Sequence, residues 1–382
     1  MSDSARRAAL SDAKIIVVKI GSAVIANKDS LNYEAMADLA AQIADLALYK
    51  SKKIVLVSSG AVAAGKAVLK TRGIEKFPNY KDAKRAIAAV GQSLLMQAWN
   101  NAFSPYGIIT GQVLLTRDDL RSRSRFHTAT ATFLEMLSWN ALPIVNENDT
   151  VSVSELRFGD NDSLASLLVN LTEADLLINL TSAPGVMDKD PGQYSDARVL
   201  SSIPDIASLD LDAICGQKTE LGSGGMYSKL LAARRIAQIG APTLILPGKE
   251  ARVLERAFEN DDLGTWIAPS ERAIPRRKFW LAYQSEPAGV VEIDDGAAEA
   301  LAHKGKSLLP GGIKSAEGNF EKGALLRVSH NGQTLGAGFS NYDSETLKKI
   351  SGLKRHEIAA ILGQARYPDA IHRDNLLLDA AL

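Results

Sequence analysis

Apolar and polar positions follow two different patterns along the first two-thirds of the chain. Short runs rich in Val, Ile and Leu are apolar on both faces, which is typical of strands covered by helices on each side. The predicted strands are Lys14–Ile20, Lys53–Val57, Ile108–Leu115, Leu142–Asn146, Asp175–Leu180 and Pro242–Leu246. Between the strands, apolar residues recur at helical spacing, which predicts the helices Tyr33–Tyr49, Ala83–Phe103, Phe126–Trp139 and Met226–Ile239. This alternation predicts an α/β fold, a three-layer αβα sandwich with a mostly parallel central sheet.

The pattern changes after about Gly264. Residues 268–279 (APSERAIPRRKF) are rich in charge and proline and indicate a linker. Short strand-like runs follow, separated by glycine turns: GVVEID, SLLPGGIKS, GALLRVS and QTLGAGFS. They predict a small β-rich barrel. A chain of 382 residues also exceeds what one core usually supports. We therefore expect a first domain at residues 11–268, and a linker with a second domain at residues 269–382.

Composition excludes several classes of function. Lys plus Arg and Asp plus Glu both number 44, so no net charge attracts nucleic acid or an anionic membrane. Cys215 is the single cysteine, so no internal disulfide is possible, which fits a reducing compartment. No stretch has the eighteen or so apolar residues that a membrane-spanning helix needs, and the first ten residues lack the apolar core of a signal peptide. We expect a cytoplasmic protein.

Two glycine turns follow predicted strands and suit the binding of an anion. In VVKIGS (Val17–Ser22), Gly21 lets the backbone approach a phosphate, and Lys19 places a cation where open α/β sheets bind ligands. In SSGAVAAG (Ser58–Gly65), Gly60 allows a tight turn, and the next helix presents its amino-terminal amides. Ordinary strand-to-helix turns have the same appearance, so neither motif identifies a site by itself. Neither is a Walker A or GxGxxG motif, which counts against P-loop kinases and nicotinamide enzymes.

An acidic and amide-rich cluster lies in the middle of the chain. NENDT (Asn146–Thr150) closes a strand, a hairpin-like VSVSELRF follows, and GDND (Gly159–Asp162) opens an apolar helix. A helix cap accounts for Asp160 or Asn161, but not for the rest of the cluster. A pocket that binds an ammonium group through carboxylates and carbonyls, and that aligns a lysine, requires such side chains.

Two further segments suit the phosphate and ribose ends of a nucleotide. LGSGGMYSKL (Leu221–Leu230) places three glycines before a helix that carries Ser228 and Lys229, which suits a cover for phosphates. A mobile linker followed by a surface lysine would look similar. In Leu176–Pro191, a buried strand ends in Thr181 and Ser182.

The chain resembles the glutamate 5-kinases, which are members of the amino acid kinase family. The resemblance rests on a collinear series of motifs: VVKIGS, SSGAVAAG, AAVGQ (Ala88–Gln92), GQVLLT (Gly111–Thr116), PIVNENDT, GDND and GSGGMYSK. It runs from about Lys14 to Gly264 and continues in SLLPGGIKS and AIHRDN, so it covers nearly the whole chain. NEND with GDND at this spacing is its most specific part. The C-terminal segment resembles a PUA domain.

The resemblance implies ATP-dependent conversion of L-glutamate to L-glutamyl 5-phosphate, the first step of proline biosynthesis. Lys19 and Lys229 would stabilise the transferring phosphoryl group, and Asp162 would orient both lysines. The residues carried over for glutamate are Ser59, Gly60, Asn146, Asp149 and Asn161. Those carried over for ATP are Lys19, Gly21, Thr181, Ser182, Ser223, Gly224, Gly225, Met226, Tyr227, Ser228 and Lys229. Mg²⁺ would bridge the phosphates and rely little on protein ligands, and no metal-binding residue is assigned.

The resemblance also implies partners. We expect feedback inhibition by proline and assembly into a homo-oligomer. The PUA domain fold is known for RNA binding in other proteins, but acidic and basic side chains nearly cancel in this segment. We therefore expect no nucleic acid partner and no membrane partner, and a role for the PUA-like domain in regulation or assembly.

The sequence departs from the family pattern at three places, and two alternative functions are also kept. Ser182 replaces the usual Asp of a Thr-Asp pair, Met187 replaces a Tyr, and Thr128–Thr130 replaces Asn-Ala-Arg. One alternative keeps the kinase but changes the acceptor, for example to acetylglutamate, aspartate or a nucleotide. Another is an RNA-binding or regulatory protein that uses the C-terminal barrel and an inactive kinase fold, which the change at Ser182 favours slightly.

Overall fold

The computed structural model describes residues 2–27, 30–78, 80–152, 161–215, 225–259, 261–271, 273–276, 279, 287–363 and 369–378. The chain forms two compact units, residues 1–273 and 274–382. The first unit has the following strands: β1 (Ile15–Ile20), β2 (Ala26–Asn27), β3 (Ser30–Leu31), β4 (Lys53–Ser58), β5 (Thr110–Leu115), β6 (Leu142–Glu147), β7 (Leu176–Thr181), β8 (Ser202–Ile203), β9 (Thr243–Pro247) and β10 (Thr265–Ile267).

Helices connect these strands. They are α1 (Ser2–Asp12), α2 (Ser22–Ile25), α3 (Tyr33–Leu48), α4 (Ala61–Thr71), α5 (Lys81–Phe103), α6 (Arg117–Arg121), α7 (Arg123–Ser138), α8 (Asn161–Leu171), α9 (Leu211–Cys215), α10 (Met226–Gln238) and α11 (Val253–Phe258), with 3₁₀ turns at Ser104–Tyr106 and Ile206–Ser208. The strands and helices that the sequence patterns predict for this unit are confirmed to within three residues at each end. Helix α8 is buried all round, as expected of a helix whose apolar residues cover every face.

The first unit is built on an eight-stranded sheet with the order β5-β6-β4-β1-β7-β9-β10-β8. All neighbouring strands are parallel except β9 and β10, which are antiparallel. The predicted mostly parallel sandwich is therefore confirmed. Strand β10 lies within this sheet, so the change of pattern that the sequence places near Gly264 falls before the sheet ends. Because β1, β4, β6, β7 and β9 run the same way, their carboxyl ends lie at one edge.

Helices cover both faces of this sheet. Helices α1, α3, α4, α5 and α11 contribute to one large apolar cluster with the strands. Helix α8 packs on β1 and against α10 on the other face. Lys19 and Asn179 are register neighbours on β1 and β7, so their side chains share one face of the sheet. This is the arrangement that brings the site together.

The second unit has its own sheet and its own apolar core. Its strands are β11 (Gly289–Ile293), β12 (Ile313–Gly318), β13 (Leu325–His330), β14 (Gln333–Ser340) and β15 (Ile371–Leu378), in the order β12-β11-β13-β14-β15. Its helices are α12 (Asp295–Lys304), α13 (Ser344–Ile350) and α14 (Arg355–Leu362), with a 3₁₀ turn at Pro310–Gly312.

Two sequence interpretations of the second unit are wrong or incomplete. The sequence pattern of SLLPGGIKS predicts one strand, but the described chain makes a 3₁₀ turn at Pro310–Gly312 before β12 begins at Ile313. Proline and paired glycines favour the turn. Strand β15 has no counterpart among the predicted strands, although the AIHRDN motif lies at its start.

In the described part of the chain, no helix is both long and apolar enough to cross a membrane. Cys215 carries a free thiol at the end of α9. Burial and the charges of Asp190 and Asp212 raise the pKa of this thiol to about 11, so it is a weak nucleophile.

Candidate active site

A cavity of about 360 Å³ opens at the carboxyl edge of the parallel strands. The ends of β1, β4, β6 and β7 all contribute to it, as the topology of an open α/β sheet predicts. Its lining residues are Lys19, Gly21, Ser22, Ala23, Ser59, Gly60, Ala61, Val62, Ala63, Asn146, Glu147, Asp149, Asn161, Thr181, Ser182 and Lys229.

Two lysines of this cavity share one carboxylate. The Nζ of Lys19 lies 2.5 Å from Oδ1 of Asp162, and the Nζ of Lys229 lies 3.1 Å from Oδ2. Asp162 is fully buried in the first turn of α8, and both lysine side chains are only 5% exposed. Lys19 comes from β1 and Lys229 from α10, so the tertiary fold alone makes this contact. Asp162 lies beneath the cavity, and the two ammonium groups reach its wall.

The Asp162 carboxylate is ionised although it is buried. Burial opposes ionisation, but the charges of Lys19 and Lys229, with hydrogen bonds from Lys19 and Asn179, outweigh it. The pKa of Asp162 is therefore below its ordinary value of 3.8. Two cations beside one anion leave one net positive charge next to the cavity. Such a charge suits a polyanionic ligand.

Two helices direct uncapped amino-terminal ends toward this edge. Helix α4 begins after Gly60, which has a φ of 111° and provides no side-chain cap. A β-carbon at Gly60 would make this left-handed backbone unfavourable, so glycine suits the turn. Helix α10 begins after Gly225, again with no side-chain cap. Backbone amides at helix starts attract phosphates and carboxylates, and Val62 and Ala63 of α4 line the cavity.

Two amide residues, Asn146 and Asn161, form another part of the cavity wall and are linked by hydrogen bonds. The Nδ2 of Asn146 donates to Oε1 of Gln92 at 2.9 Å, and its Oδ1 accepts from the backbone amide of Glu147 at 3.0 Å. The Nδ2 of Asn161 lies 3.0 Å from Oδ1 of Asn146 and 3.1 Å from Oγ of Ser59. These contacts fix which end of each amide faces the protein. They orient Ser59, Asn146 and Asn161 as one unit.

Acidic groups complete this wall. Glu147 and Asp149 line the cavity, and the hydroxyl of Ser152 donates to Oε1 of Glu147 at 2.6 Å. Carboxylates next to amide oxygens suit an ammonium group, as the sequence pattern predicts. Residues 153–160 of this segment, which include most of the predicted hairpin-like run and Asp160, lie outside the described residues.

The structure does not bring every predicted nucleotide residue to the cavity wall. Gly21, Thr181 and Ser182 line it with Lys19 and Lys229. Ser228 contacts Asp162 instead, through its hydroxyl at 2.7 Å from Oδ2. Met226 and Tyr227 pack against an apolar cluster formed by Ile245, Leu230 and their neighbours. Gly225 precedes α10, while Ser223 and Gly224 lie outside the described residues.

Sequence analysis assigns no individual role to several residues of this site, among them Glu147, Gln92 and Asn179. Glu147 belongs to the NEND motif and Gln92 to the AAVGQ motif, but neither motif predicts a separate role for the residue. Asn179 was not singled out, although its Nδ2 donates to Oδ1 of Asp162 at 2.8 Å. The available signal for Asn179 was a single amide inside an otherwise apolar strand.

The described residues offer no group of three or more His, Cys, Asp or Glu side chains that could hold a metal. The two carboxylates on the cavity wall, Glu147 and Asp149, do not amount to such a set, and Asp162 is engaged by the lysines. Thr128 and Ala129, where the sequence departs from the family pattern, line a separate cavity of about 650 Å³ with Arg125 and Asn148.

Sequence and structure comparisons show which proteins this chain is similar to. Residues 14–247 match the sequence model of the amino acid kinase family, and residues 289–362 match that of the PUA domain. A protein named glutamate 5-kinase from Nitratidesulfovibrio vulgaris (strain DP4) is 54% identical over 99% of this chain and 98% of its own length. Another of that name, from Thermus thermophilus, is 44% identical over 96% of this chain and 97% of its own length. A solved structure of carbamate kinase from Giardia lamblia bound to AMP-PNP has a TM-score of 0.49 and 19% identity, and the match covers 68% of this chain and 100% of that one.

Proposed function

The chain belongs to the amino acid kinase family, and we propose that it transfers the γ-phosphoryl group of ATP to the γ-carboxylate of L-glutamate. The product is L-glutamyl 5-phosphate, and the reaction is the first step of proline biosynthesis. The observation that carries the proposal is the pair Lys19 and Lys229, held by one buried carboxylate at the wall of a cavity of amide and acidic groups. Similarity over nearly the full length to proteins named glutamate 5-kinase supports the choice of substrate.

In this mechanism the chain supplies charge and position. A γ-carboxylate oxygen of glutamate forms a bond to the γ-phosphorus, the bond from that phosphorus to the β,γ-bridging oxygen breaks, and ADP leaves. The carboxylate is already a nucleophile, so no covalent phosphoenzyme is needed. Lys19 and Lys229 neutralise charge that develops on the phosphoryl oxygens. Asp162 keeps both ammonium groups near each other despite their mutual repulsion.

The acceptor is bound by the amide and acidic wall. Asp149 and the side-chain oxygen of Asn161 suit the α-ammonium group of glutamate, since the side-chain oxygen of Asn146 already accepts two hydrogen bonds. The hydroxyl of Ser59 and the backbone amides that follow Gly60 suit a carboxylate. Asn146 and Asn161 hold these groups in place through the hydrogen bonds described above. A free amino acid with two carboxylates matches this distribution of donors and acceptors.

ATP is bound at the lysine side of the cavity. Gly21, Thr181 and Ser182 line the cavity together with Lys19 and Lys229. We propose that backbone amides at the start of α10, the helix that carries Lys229, attract the phosphates. Direct nucleotide contacts by Met226, Tyr227, Ser223 and Gly224 stay predictions from the sequence. Mg²⁺ would enter with ATP and would neutralise part of the phosphate charge. Because the described residues do not offer a metal-ligand set, no step is assigned to a protein-held ion.

The direct test combines the protein with ATP, Mg²⁺ and L-glutamate and traps the acyl phosphate with hydroxylamine. We expect γ-glutamyl hydroxamate and an equal amount of ADP. Acetylglutamate, aspartate and a nucleoside monophosphate are run in parallel as acceptors. A higher kcat/KM with any of them would replace glutamate as the substrate. Folded protein that binds ATP but forms no phosphorylated acceptor would refute the kinase.

Three further properties stay predictions. They are inhibition by proline, assembly into a homo-oligomer and residence in the cytoplasm. The same hydroxamate assay with added proline tests the first. Light scattering at several protein concentrations tests the second.

A further inference from the structure

Asn179 is out of place in its strand. Every residue of β7 is buried, and the strand otherwise consists of Leu, Ile and a terminal Thr181. Asn179 is 1% exposed and lies between β1 and β9 in the middle of the sheet. A leucine or isoleucine would fill such a position without any polar group to satisfy. A buried amide here therefore needs a physical reason.

The contact that Asn179 makes is with the carboxylate shared by the two lysines. Its Nδ2 donates to Oδ1 of Asp162 at 2.8 Å, the same oxygen that contacts Lys19. The other oxygen of Asp162 accepts from Ser228 at 2.7 Å and contacts Lys229. Each carboxylate oxygen thus has one lysine and one neutral donor. The neutral donors come from β7 and α10, the cations from β1 and α10.

The other end of the Asn179 amide has no partner in the described part of the chain. An ionised carboxylate only accepts hydrogen bonds, so the nitrogen must face Asp162, and Oδ1 faces away. That oxygen is buried and unpaired. An unpaired buried acceptor destabilises a fold. The chain tolerates this loss at an amide that contacts Asp162, which argues for a role in the site rather than in stability.

We propose that Asn179 is a positioning residue for phosphoryl transfer: it holds the plane of the Asp162 carboxylate so that each oxygen faces one lysine. When Lys19 and Lys229 donate hydrogen bonds to phosphoryl oxygens, their contacts with the Asp162 carboxylate weaken. The neutral donors do not compete for the phosphate. They keep Asp162 in place while the cations act on the transferring group. Asn179 acts through Asp162 and does not itself reach the cavity wall.

This inference rests on the proposed kinase function and is tested with Asn179→Leu. Leucine has a similar branched shape and removes both the donor and the unpaired oxygen. We expect kcat to fall roughly ten- to hundred-fold, as for loss of a hydrogen bond to a charged group, with the KM values for glutamate and ATP within about threefold of wild type. Thermal stability should stay close to that of wild type, because loss of the hydrogen bond to Asp162 destabilises the fold and loss of the unpaired acceptor stabilises it. Asn179→Ala serves as a second variant if leucine fails to fold.

Thr243→Val is the matched control. Thr243 is 1% exposed on the neighbouring strand β9, and its Oγ1 is likewise buried without a described partner. It pairs with Leu177, away from the cavity. Valine should leave kcat unchanged. If Asn179→Leu retains the wild-type kcat, or if it lowers thermal stability and loses activity only in proportion to unfolded protein, the inference is wrong.

Failure of the proposed function gives a different result. Wild-type protein would then form no hydroxamate, and crystal structures of wild type and Asn179→Leu decide the inference without any acceptor. A carboxylate of Asp162 that turns away from Lys19 or Lys229 in the variant supports it. A carboxylate that keeps both lysine contacts overturns it.

Discussion

Asp162 is the residue on which both cations of the site depend. Two lysines placed this close repel each other, and their burial disfavours the charged forms. The carboxylate offsets both effects, because each of its oxygens contacts one lysine. Replacing it removes charge from a fully buried position and leaves two cations uncompensated. Asp162 is thus a structural and an electrostatic centre at once.

Acid should weaken the fold through Asp162. Its folded-state pKa is below the ordinary value of 3.8, so its contribution to the free energy of unfolding is present above that value. The contribution is lost as the pH falls through the lower folded-state pKa. Urea unfolding from pH 7 to pH 3 measures the free energy of unfolding of wild type and of Asp162→Asn. The difference between the two should become smaller as the pH falls, since a protonated Asp resembles Asn. A difference that stays constant would contradict this.

Lys229→Ala should reduce turnover far more than glutamate binding. The ammonium group is needed most when charge develops on the phosphoryl oxygens, so its loss raises the barrier rather than KM. We expect kcat to fall by roughly 10²-fold or more, as for other preorganised charged groups, with a small change in the KM for glutamate. Lys84→Ala, at an exposed position of α5, is the control and should behave as wild type. Small changes of equal size in kcat and in the KM for glutamate would show that Lys229 does not stabilise the transferring phosphoryl group.

Gln92→Leu should weaken glutamate binding, although Gln92 itself does not line the cavity. The substitution removes the acceptor of the Asn146 Nδ2, and an unpaired buried donor costs about 1–3 kcal/mol. Asn146 is then expected to turn, which disturbs Asn161 and Ser59. We expect the KM for glutamate to rise roughly five- to hundred-fold, with the KM for ATP unchanged. Ser93→Ala on the same helix is the control, and a rise in both KM values would point to general damage.

At the scale of elements, the crossing of α4 and α5 places one wall of the site. Gly65 and Gly91 form this crossing: a β-carbon on Gly91 would lie 1.8 Å from the Ala61 carbonyl oxygen, and one on Gly65 would lie 1.9 Å from that of Ile87. The helices can approach this closely only because both positions lack a side chain. The approach brings Gln92 beside Asn146 and fixes the start of α4 at the cavity.

Gly91→Ala should therefore separate α4 from α5. Overpacking of this kind costs typically about 1–3 kcal/mol, and the displaced start of α4 should also raise the KM for glutamate. Thermal unfolding and kinetics measure the two effects. Gly296→Ala is the matched control, because that helical glycine has an ordinary φ and its nearest atom is 3.5 Å away. It should be neutral or slightly stabilising. A fully stable, active Gly91→Ala would refute the close-packing argument.

The extent of the sequence prediction differs between the elements and the site. Strands such as β1 and β4 and the glycines after them follow from local periodicity, and the residues at their ends reach the cavity as expected. The sequence does not predict the roles of Gln92 and Asn179, because the residues that they contact are distant in sequence. Asn146 is 54 residues from Gln92, and Asp162 is 17 residues from Asn179. Local patterns contain no record of such pairs.

At the scale of the whole molecule, the candidate active site belongs to the first of the two units. All the residues that line the cavity belong to the first unit. The second unit has a separate apolar core and matches the PUA domain. From residue 273 to the C-terminus, the sequence has 14 Lys and Arg against 13 Asp and Glu. This balance does not create the basic surface that RNA binding through phosphates requires.

The full-length protein should accordingly bind RNA weakly or not at all. A gel-shift series with a structured RNA from about 50 to 200 mM salt is the measurement. We expect no complex at the higher salt concentration. A tight complex whose affinity falls steeply with salt would show extensive phosphate contacts and would favour the RNA-binding alternative.

By itself, the sequence determined the alternation of strands and helices, the change to a β-rich second region and the polar residues that end the strands. These properties depend on neighbours within one or two turns of chain, so a local pattern contains them. The tertiary structure alone decided that residues 19, 162, 179 and 229 meet. Their meeting depends on β1 lying beside β7 and on α8 lying against α10. Strand order and helix packing result from burial across the whole domain, which no single segment specifies.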